Sequence, residues 1–277
     1  MQLNLSKFQL DLCRPKVMGI VNVTPDSFSD GGRHLSTKAA IDHAYQLLEE
    51  GADILDIGGE STRPGAARVS EQEELDRVLP VIEGLGQISQ PISIDTTKPA
   101  VMYAALRAGV SWVNDVNALQ EAGALALVAA SDAAVCLMHK QGTPQTMQNT
   151  PVYDDVLAEV MNFLQQRMAV CIAAGIAKER IVIDPGFGFG KSLVHNLSLL
   201  KNLQQFTTLG VPILAGLSRK SMLGALTGRE VDDRLSPSVA AAVIAVQHGA
   251  RVVRVHDVQA TVDALKIWNA VNEENQQ

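Results

Sequence analysis

Cysteine and long apolar runs are scarce in this sequence of 277 residues. Its three cysteines, Cys13, Cys136 and Cys171, are too few and too scattered for a disulfide framework, and no CxxC pair is present, which predicts reduced thiols in a cytoplasmic protein. The amino-terminal segment lacks the apolar run of a signal peptide. No stretch approaches the ~18 continuous apolar residues of a membrane-spanning helix, so no membrane segment is expected.

Positive charge and aromatic residues are also in short supply. The formal net charge is −7, which argues against nucleic acid or an anionic membrane as the main partner. A small anionic substrate stays compatible with this charge, because a local cluster of arginine and lysine can outweigh the mean field. Aromatic residues make up 4% of the chain, so the apolar volume must come mainly from alanine, valine, isoleucine and leucine. Such a composition suits buried parallel strands packed against helices.

Short apolar runs alternate with amphipathic windows about eight times along the chain. The runs are rich in valine or isoleucine, as in strands buried on both faces, and they cover 17–23, 53–59, 91–96, 111–116, 134–139, 180–186, 212–218 and 251–257. Helical periodicity is clearest between them in 37–50, 71–85 and 154–174. Gly51, Gly109, Gly175 and Gly249 stand just before strands, where the end of a helix needs a glycine. Eight such βα units predict a single-domain closed (β/α)8 TIM barrel.

An open doubly wound α/β sheet is the alternative architecture. It would need a glycine-rich fingerprint after the first strand, and GxGxxG is absent there. The segment DPGFGFGK (184–191) does not have the spacing of a phosphate-binding loop. Its glycines indicate a close approach of the backbone to a flat ligand, and Phe187 and Phe189 could stack on that ligand or simply pack. No histidine or cysteine cluster has the spacing of a zinc site.

Polar residues end nearly every predicted strand, and in a TIM barrel these strand ends form the catalytic face. They comprise Asn22, the segment 60–63, Asp95, Asn114, Asp115, His139, Asp184, Ser218, Arg219, Lys220, Arg254 and His256. Their convergence predicts one active site rather than a set of helix caps. For His139 a structural hydrogen-bonding role is the more favoured interpretation.

Two carboxylates, Asp95 and Asp184, each close an apolar run. A carboxylate in that position loses hydration unless it finds donors. A flat heterocycle with adjacent N–H groups is a suitable partner, and a salt bridge to a neighbouring lysine or arginine is the structural alternative. Asn114 offers both a donor and an acceptor, which suits the same ring.

The candidate cations are Arg63, Lys220 and Arg254. Arg254 and His256 share one face of the last strand, and with Arg63 they could bind a diphosphate, although each could also be a surface charge. Lys220 could form a Schiff base, or it could place a fixed positive charge over a ring or carboxylate. The second role is favoured, because Lys220 lies beyond the strand and Arg219 beside it would be superfluous for imine chemistry.

Two long glycine-rich loops, 22–34 and 58–70, follow the first two strands. Their length exceeds a minimal βα turn and predicts lids that close over a substrate. Phe28 is an isolated aromatic residue in the first loop, which favours a substrate clamp over an exposed side chain.

Two long segments, MGIVNVTPDSFSDGG (18–32) and GADILDIGGESTRPGA (51–66), are similar to the signature segments of dihydropteroate synthases. The same family is resembled, in the same order, by SIDTTKP (93–99), LMHKQGTPQTMQ (137–148), DPGFGFGK (184–191), LSRKSMLG (217–224) and RVHDV (254–258). The resemblance covers essentially the whole chain. It implies a reaction in which 4-aminobenzoate displaces diphosphate from 7,8-dihydropterin-6-ylmethyl diphosphate, in a TIM barrel that is usually a homodimer and uses Mg²⁺.

The resemblance also implies roles for individual residues. Those that hold the pterin are Asp95, Asn114, Asp184 and Lys220, and those that line its faces are Val116, Met138, Phe189 and Gly216. Those at the diphosphate are Thr62, Arg63, Arg254 and His256, with Asn22 reaching Mg²⁺. Those around 4-aminobenzoate are Phe28, Arg63, Pro64, Ser218 and Lys220, while Asp30 orders the first loop. The residues that act in catalysis are Asp30, Arg63, Asp95, Asp184 and Lys220.

The implied chemistry is an SN1-like displacement. An aryl amine is a weak nucleophile, so the leaving group departs early, and the carboxylates of Asp95 and Asp184 stabilise positive charge that spreads into the pterin. Arginines, His256 and Mg²⁺ stabilise the departing diphosphate. Replacing Arg254 by alanine is therefore expected to abolish turnover with little loss of stability.

Departures from the family pattern occur at Lys140 and at Asn117-Ala118, and they bear on fine specificity. Phe28 and Pro64 match the drug-sensitive form, which predicts inhibition by sulfonamides. Two other classes of pterin-binding protein are alternatives to a synthase. A methyltetrahydrofolate:corrinoid methyltransferase would have no use for TPDSFSDGG, and a non-catalytic pterin-binding protein would be expected to lack Arg63 or Lys220.

Overall fold

The computed structural model describes residues 1–24, 33–61, 69–86, 88–142 and 151–273, and in these ranges three consecutive strands are followed by helices and strands in alternation. The strands are β1 (Gln2–Leu5), β2 (Phe8–Asp11), β3 (Lys16–Asn22), β4 (Ile54–Gly58), β5 (Ile92–Asp95), β6 (Trp112–Asp115), β7 (Ala134–Met138), β8 (Ile181–Asp184), β9 (Leu214–Ala215) and β10 (Val252–Val255). The α-helices are α1 (Arg33–Glu49), α2 (Glu71–Leu85), α3 (Pro99–Arg107), α4 (Ala124–Ala129), α5 (Val156–Ala173), α6 (Leu193–Lys201), α7 (Ser221–Thr227), α8 (Leu235–Gln247) and α9 (Val258–Glu273). None of the helices in these ranges is long and apolar enough to cross a membrane.

The eight strands from β3 to β10 form one parallel sheet in the order β8-β7-β6-β5-β4-β3-β10-β9. The edges meet at an isolated parallel bridge between Ile183 and Ile213, beside a hydrogen bond of 3.0 Å from the Ile183 N–H to the Pro212 carbonyl. This contact nearly closes the sheet into a barrel, and the helices surround it. The predicted TIM barrel is confirmed, and the open doubly wound sheet is excluded.

The helix-to-strand connections follow the glycine signal in the sequence. Gly51, Gly109, Gly175 and Gly249 have φ angles of 99°, 102°, 98° and 101°, a region that costs other residues steric energy. The structure therefore confirms that these four glycines end helices in a conformation that favours glycine. The seventh barrel strand, β9, is shorter than its apolar run at 212–218, because Pro212 has no N–H to donate to a ladder.

The amino-terminal hairpin of β1 and β2 was not predicted. Its antiparallel register pairs Leu3 with Leu10 and Leu5 with Phe8, and Ser6 in the turn has a φ of 51°. Leu3, Leu5 and Leu12 are fully buried against the barrel interior, in a cluster that includes Trp112. The alternation of apolar and polar residues in QLNL and FQLD was the available signal.

Candidate functional site

The carboxyl ends of the barrel strands, called the mouth here, collect polar side chains in register. In the register of the sheet, Asn22 of β3 pairs with Gly58 of β4, Gly58 pairs with Asp95 of β5, and Asp95 pairs with Asn114 of β6. Because parallel strands place their carboxyl ends at one edge, the last residues of separate apolar runs become neighbours. Asn22, Asp95 and Asn114 were predicted to lie together on this basis, and the register places them in one row.

A charged network joins β4, β5, β6 and β10 at this row. Arg254 donates through Nε to Asp56 Oδ2 at 2.5 Å and through Nη2 to Asp95 Oδ2 at 2.8 Å. Asn114 donates from Nδ2 to the same Asp56 oxygen at 3.0 Å. The salt bridge weighed as the structural alternative for Asp95 is therefore present. It places Arg254 between the carboxylates rather than on a separate anion-binding side of the mouth.

Asp56 was missed by the sequence analysis. It lies inside β4 and is 0% exposed, so its charge depends on Arg254 for compensation. A charged residue in the middle of the apolar run ILDIG was the signal that could have identified it.

The pKa values of this network follow from burial. Burial raises the pKa of Asp95 to about 7, Arg254 opposes that rise, and the neighbouring Asp56 carboxylate adds to it. Burial alone would lower the pKa of Arg254, but Asp56 and Asp95 raise it above its usual range. Arg254 is therefore a permanent cation, whereas Asp95 titrates near neutral pH.

A second charged pair lies across the mouth at β8 and the turn after β9. Asp184 is 5% exposed and accepts the Gly186 N–H at 2.7 Å. Burial raises the pKa of Asp184, and Lys220 opposes the rise. Burial likewise lowers the pKa of Lys220 to about 8, and Asp184 opposes that fall. The opposite charges of Asp184 and Lys220 thus act on each other's pKa across this part of the mouth.

Lys220 is held by the loop that follows β8. Its ammonium donates to the Phe187 carbonyl and lies 4.8 Å from the centroid of the Phe189 ring. A cation at that distance is attracted by the face of an aromatic ring. Phe187 itself is fully buried, so of the two phenylalanines in DPGFGFGK only Phe189 is partly open to the mouth.

The remaining predicted residues in the described ranges also lie at strand ends. Ser218 Oγ is 3.0 Å from His256 Nδ1 and accepts the His256 backbone N–H at 3.2 Å, which links the ends of β9 and β10. A Cβ on Gly216 would lie 3.9 Å from both Arg254 and Lys220, so this glycine sits between the two cations. Met138 is the register partner of Asp184, and Val116 follows β6 in a half-buried position.

Two polar strand ends, Asp115 and Arg219, have partners in the connecting segments. Asp115 accepts the N–H groups of Asn117 at 2.7 Å and Leu119 at 2.8 Å, so it stabilises a turn in which Ala118 and Leu119 have positive φ. Arg219 has a φ of 57° and its side chain forms a 2.6 Å ion pair with Asp257. Asp115 therefore stabilises its own turn while its charge adds to the raised pKa of Asp95, and Arg219 joins the turn after β9 to the end of β10.

Five of the predicted residues lie outside the described ranges: Phe28, Asp30, Thr62, Arg63 and Pro64. Their roles, and the predicted closure of the two loops, stay predictions.

His139, at the end of β7, has the structural role that the sequence favoured. Its Nδ1 is 3.0 Å from the Nζ of Lys191, a buried lysine that the sequence analysis did not single out. Burial, with a contribution from Lys191, lowers the pKa of His139 to about 3, so the ring is neutral near pH 7.

The fold and the polar mouth define a barrel enzyme of the pterin-binding class, because residues 18–256 match the family described as Pterin binding enzyme. Dihydropteroate synthase from Escherichia coli (strain K12) is 53% identical over 262 residues, which cover 94% of this chain and 93% of that protein. The chain belongs to the dihydropteroate synthase family, transferases of folate biosynthesis. This membership favours the synthase over the two other classes that were weighed.

Solved structures give the same result. A Xanthomonas albilineans dihydropteroate synthase with 4-aminobenzoic acid superimposes with a TM-score of 0.93 at 56% identity, covering 98% of each chain. A second structure from that organism, in complex with 7,8-dihydropteroate, gives a TM-score of 0.90 at 53% identity and covers 98% of this chain and 99% of that one.

Proposed function

We propose that this chain joins 7,8-dihydropterin-6-ylmethyl diphosphate to 4-aminobenzoate, releases diphosphate and forms 7,8-dihydropteroate. The observation that carries the proposal is the convergence of two carboxylates, the buried Asp184 and the half-buried Asp95, with two half-buried cations, Arg254 and Lys220, at one mouth. Relatives of the chain have been solved with 4-aminobenzoic acid and with the product, and these complexes support the same substrates here.

The pterin ring would bind among Asp95, Asn114, Asp184 and Lys220. Their carboxylate and amide groups match the donors and acceptors on the edge of a pterin. Val116, Met138, Phe189 and Gly216 would cover its faces, because they surround the same strand ends. A flat ring in this position would place its exocyclic methylene group towards the open side of the mouth.

The proposed reaction begins with loss of diphosphate, because an aryl amine is a weak nucleophile. As the C–O bond breaks, both bonding electrons leave with the diphosphate, and positive charge spreads from the methylene carbon into the pterin. The fixed carboxylates of Asp95 and Asp184 stabilise that charge without moving, which is where preorganised groups are most effective. The amine nitrogen then forms the new C–N bond and loses its proton.

The leaving diphosphate would be held by Thr62, Arg63, Arg254 and His256. Arg254 is already bound by Asp56 and Asp95. We propose that it interacts with both halves of the substrate. It contacts the carboxylates at the pterin site, and its positive charge also attracts the diphosphate. His256, fixed by Ser218, lies on the same strand. For 4-aminobenzoate the proposed contacts are Phe28, Arg63, Pro64, Ser218 and Lys220, with Asp30 ordering the first loop.

A magnesium ion would be held by Asn22 together with diphosphate oxygens and water. Mg²⁺ prefers oxygen ligands and commonly binds proteins through few side chains plus substrate phosphates. Asn22 offers a single amide oxygen beside the Asp95 row, and no group of three metal-binding side chains occurs within the described ranges. This donor set fits a metal carried by the substrate, which would supply positive charge to the departing diphosphate.

The direct test is diphosphate release. The purified protein is incubated with the pterin diphosphate and Mg²⁺, with and without 4-aminobenzoate, and diphosphate is measured together with dihydropteroate. Equal amounts of both products in the presence of 4-aminobenzoate are expected. No diphosphate under either condition would rule the proposal out.

Activity should be greatest between about pH 7 and about pH 8. The working forms are the Asp95 carboxylate, whose pKa burial raises to about 7, and the Lys220 ammonium, whose pKa burial lowers to about 8. kcat/KM should therefore rise through about pH 7 and fall above about pH 8. Lys220→Arg, which stays charged, should retain the acid limb and lack the alkaline one. An unchanged alkaline limb in that variant would contradict the role of Lys220.

A homodimer is proposed from an exposed apolar face on α8 and α9. Ile244, Ile267 and Val271 are 45%, 68% and 59% exposed, and Ile267 and Val271 border a groove that also includes Trp268. We propose that this face packs on the same face of a second copy. Light scattering should give twice the chain mass, and Ile267→Asp should shift it towards one chain mass. Tyr103→Asp, at an exposed tyrosine of α3, is the matched control and should leave the mass unchanged.

A further inference from the structure

Lys191, at the carboxyl end of the segment 185–191 after β8, is a buried lysine that the proposed mechanism does not use. It is 2% exposed, and the contacts of its amino group with the described residues are to uncharged acceptors. It donates to the carbonyls of Gly186 at 2.9 Å, Phe189 at 3.1 Å and His139 at 3.3 Å, and its distance to His139 Nδ1 is 3.0 Å. Because the His139 ring is neutral near pH 7, its Nδ1 can accept from the amino group.

The location of these acceptors shows what the amino group connects. Two carbonyls belong to the loop after β8, and the third, with the ring nitrogen, belongs to the end of β7. Without the amino group, the carbonyls of His139 and Phe189 would lose the donor that the structure gives them, and the Gly186 carbonyl would keep only the Phe189 N–H at 3.2 Å. Buried acceptors without a donor are unfavourable, so the loop would be expected to shift.

The loop is packed closely enough for such a shift to matter. A Cβ on Gly186 would lie 1.9 Å from the His139 carbonyl oxygen, and one on Gly190 would lie 2.2 Å from the Gln141 carbonyl oxygen. The backbone of the loop therefore rests directly on the chain that follows β7. A second fastening is the Tyr153 hydroxyl, which donates to the Gly190 carbonyl at 2.8 Å.

The same loop holds Lys220. The Phe187 carbonyl accepts from its ammonium, the Phe189 ring lies beneath that ammonium, and a Cβ on Gly188 would be 3.3 Å from its Cδ. Displacing the loop would therefore displace both the cation and the aromatic ring at the mouth.

We propose that Lys191 is a positioning residue: its amino group fastens the loop after β8 to the end of β7 and thereby fixes Phe189 and Lys220 for the pterin. This inference rests on the proposed roles of Phe189 and Lys220. It predicts that the loss of Lys191 affects both substrates, and the pterin more strongly, because the pterin is proposed to contact both Phe189 and Lys220 whereas 4-aminobenzoate is proposed to contact only Lys220 of the two.

The test compares Lys191→Met, which retains much of the side-chain length and removes the donors, with Lys201→Met at an exposed lysine of α6. Lys191→Met should lower kcat/KM for the pterin diphosphate by about 30-fold or more. The KM for 4-aminobenzoate should rise by a smaller factor, and Lys201→Met should match the unmodified protein. Tyr153→Phe should lower the same kcat/KM by a smaller factor, because it removes only the second fastening.

Chemical rescue separates positioning from general damage. In Lys191→Ala, added ethylammonium or propylammonium should restore at least about tenfold of the lost activity by donating to the same carbonyls. The amines should not activate Lys201→Met.

A folded Lys191→Met protein with activity within twofold of Lys201→Met would overturn the proposal. If Lys191→Met does not fold, a Tyr153→Phe variant with unchanged kcat/KM for the pterin diphosphate would overturn it too. An unmodified protein that releases no diphosphate would instead refute the proposed function.

Discussion

Arg254→Ala is expected to abolish turnover and to lower the free energy of unfolding by about 3–5 kcal/mol, the usual cost of removing one partner of a buried ion pair. The guanidinium compensates the fully buried Asp56 and the Asp95 carboxylate, at 2.5 and 2.8 Å. Its removal leaves two carboxylates without their shared cation. The measurement is urea denaturation alongside turnover. Arg107→Ala, at an exposed arginine of α3, is the control and should change neither quantity.

The stability loss carries a pH signature. Arg254 lowers the pKa of Asp95, so its removal should raise that pKa further above the ordinary value of 3.8. A carboxyl group with a raised folded-state pKa binds more protons when folded, so its contribution to stability increases as the pH falls. The deficit of Arg254→Ala should therefore be smaller at pH 5.5 than at pH 8. If Arg254→Ala were as stable as the unmodified protein at pH 8, the stabilising role of the charge network would be contradicted. The expectation from the sequence, little loss of stability, would then hold.

Asp184→Asn should reduce kcat by about 10²–10³-fold while leaving the protein folded. The amide oxygen of asparagine can still accept the Gly186 N–H, which is 2.7 Å from the carboxylate, so the local hydrogen bond survives. What disappears is the negative charge that stabilises the developing cation. Steady-state turnover is the measurement, and Asp132→Asn, at an exposed aspartate before β7, is the matched control.

The residual activity of Asp184→Asn should show a displaced alkaline limb. Asp184 raises the pKa of Lys220 against the effect of burial, which by itself lowers it. Without the carboxylate, Lys220 should lose its proton below about pH 8. Two findings would count against the proposed electrostatic role: a kcat within threefold of Asp132→Asn, or an alkaline limb that stays in place.

Most of the barrel could be predicted because its signals are local. Each strand is a short apolar run, each helix an amphipathic window, and the glycines before the strands have the positive φ that their positions implied. The hairpin was missed because two strands of four residues give little periodicity, although Leu3 and Leu5 alternate with polar neighbours. Local patterns therefore determined the architecture but not every element.

The location of the site could be predicted from the sequence, but the ion pairs and hydrogen bonds between its residues could not. Strand ends identified Asp95, Asn114, Asp184 and Arg254 without any knowledge of register. The bond between Arg254 and Asp56 joins residues 198 positions apart, and only the closed order of strands brings them together. Lys191 could not be recognised either, because its partners are backbone carbonyls, which carry no sequence signal.

The amino-terminal hairpin covers the end of the barrel opposite the mouth. Leu3, Leu5 and Leu12 cover the amino-terminal end together with Trp112 in a fully buried apolar cluster. Attraction between opposite charges weakens as water enters, and a dry interior keeps the local dielectric low. The apolar cluster at the amino-terminal end of the barrel would in this way strengthen the electrostatic interactions at the mouth, although it lies at the opposite end of the barrel.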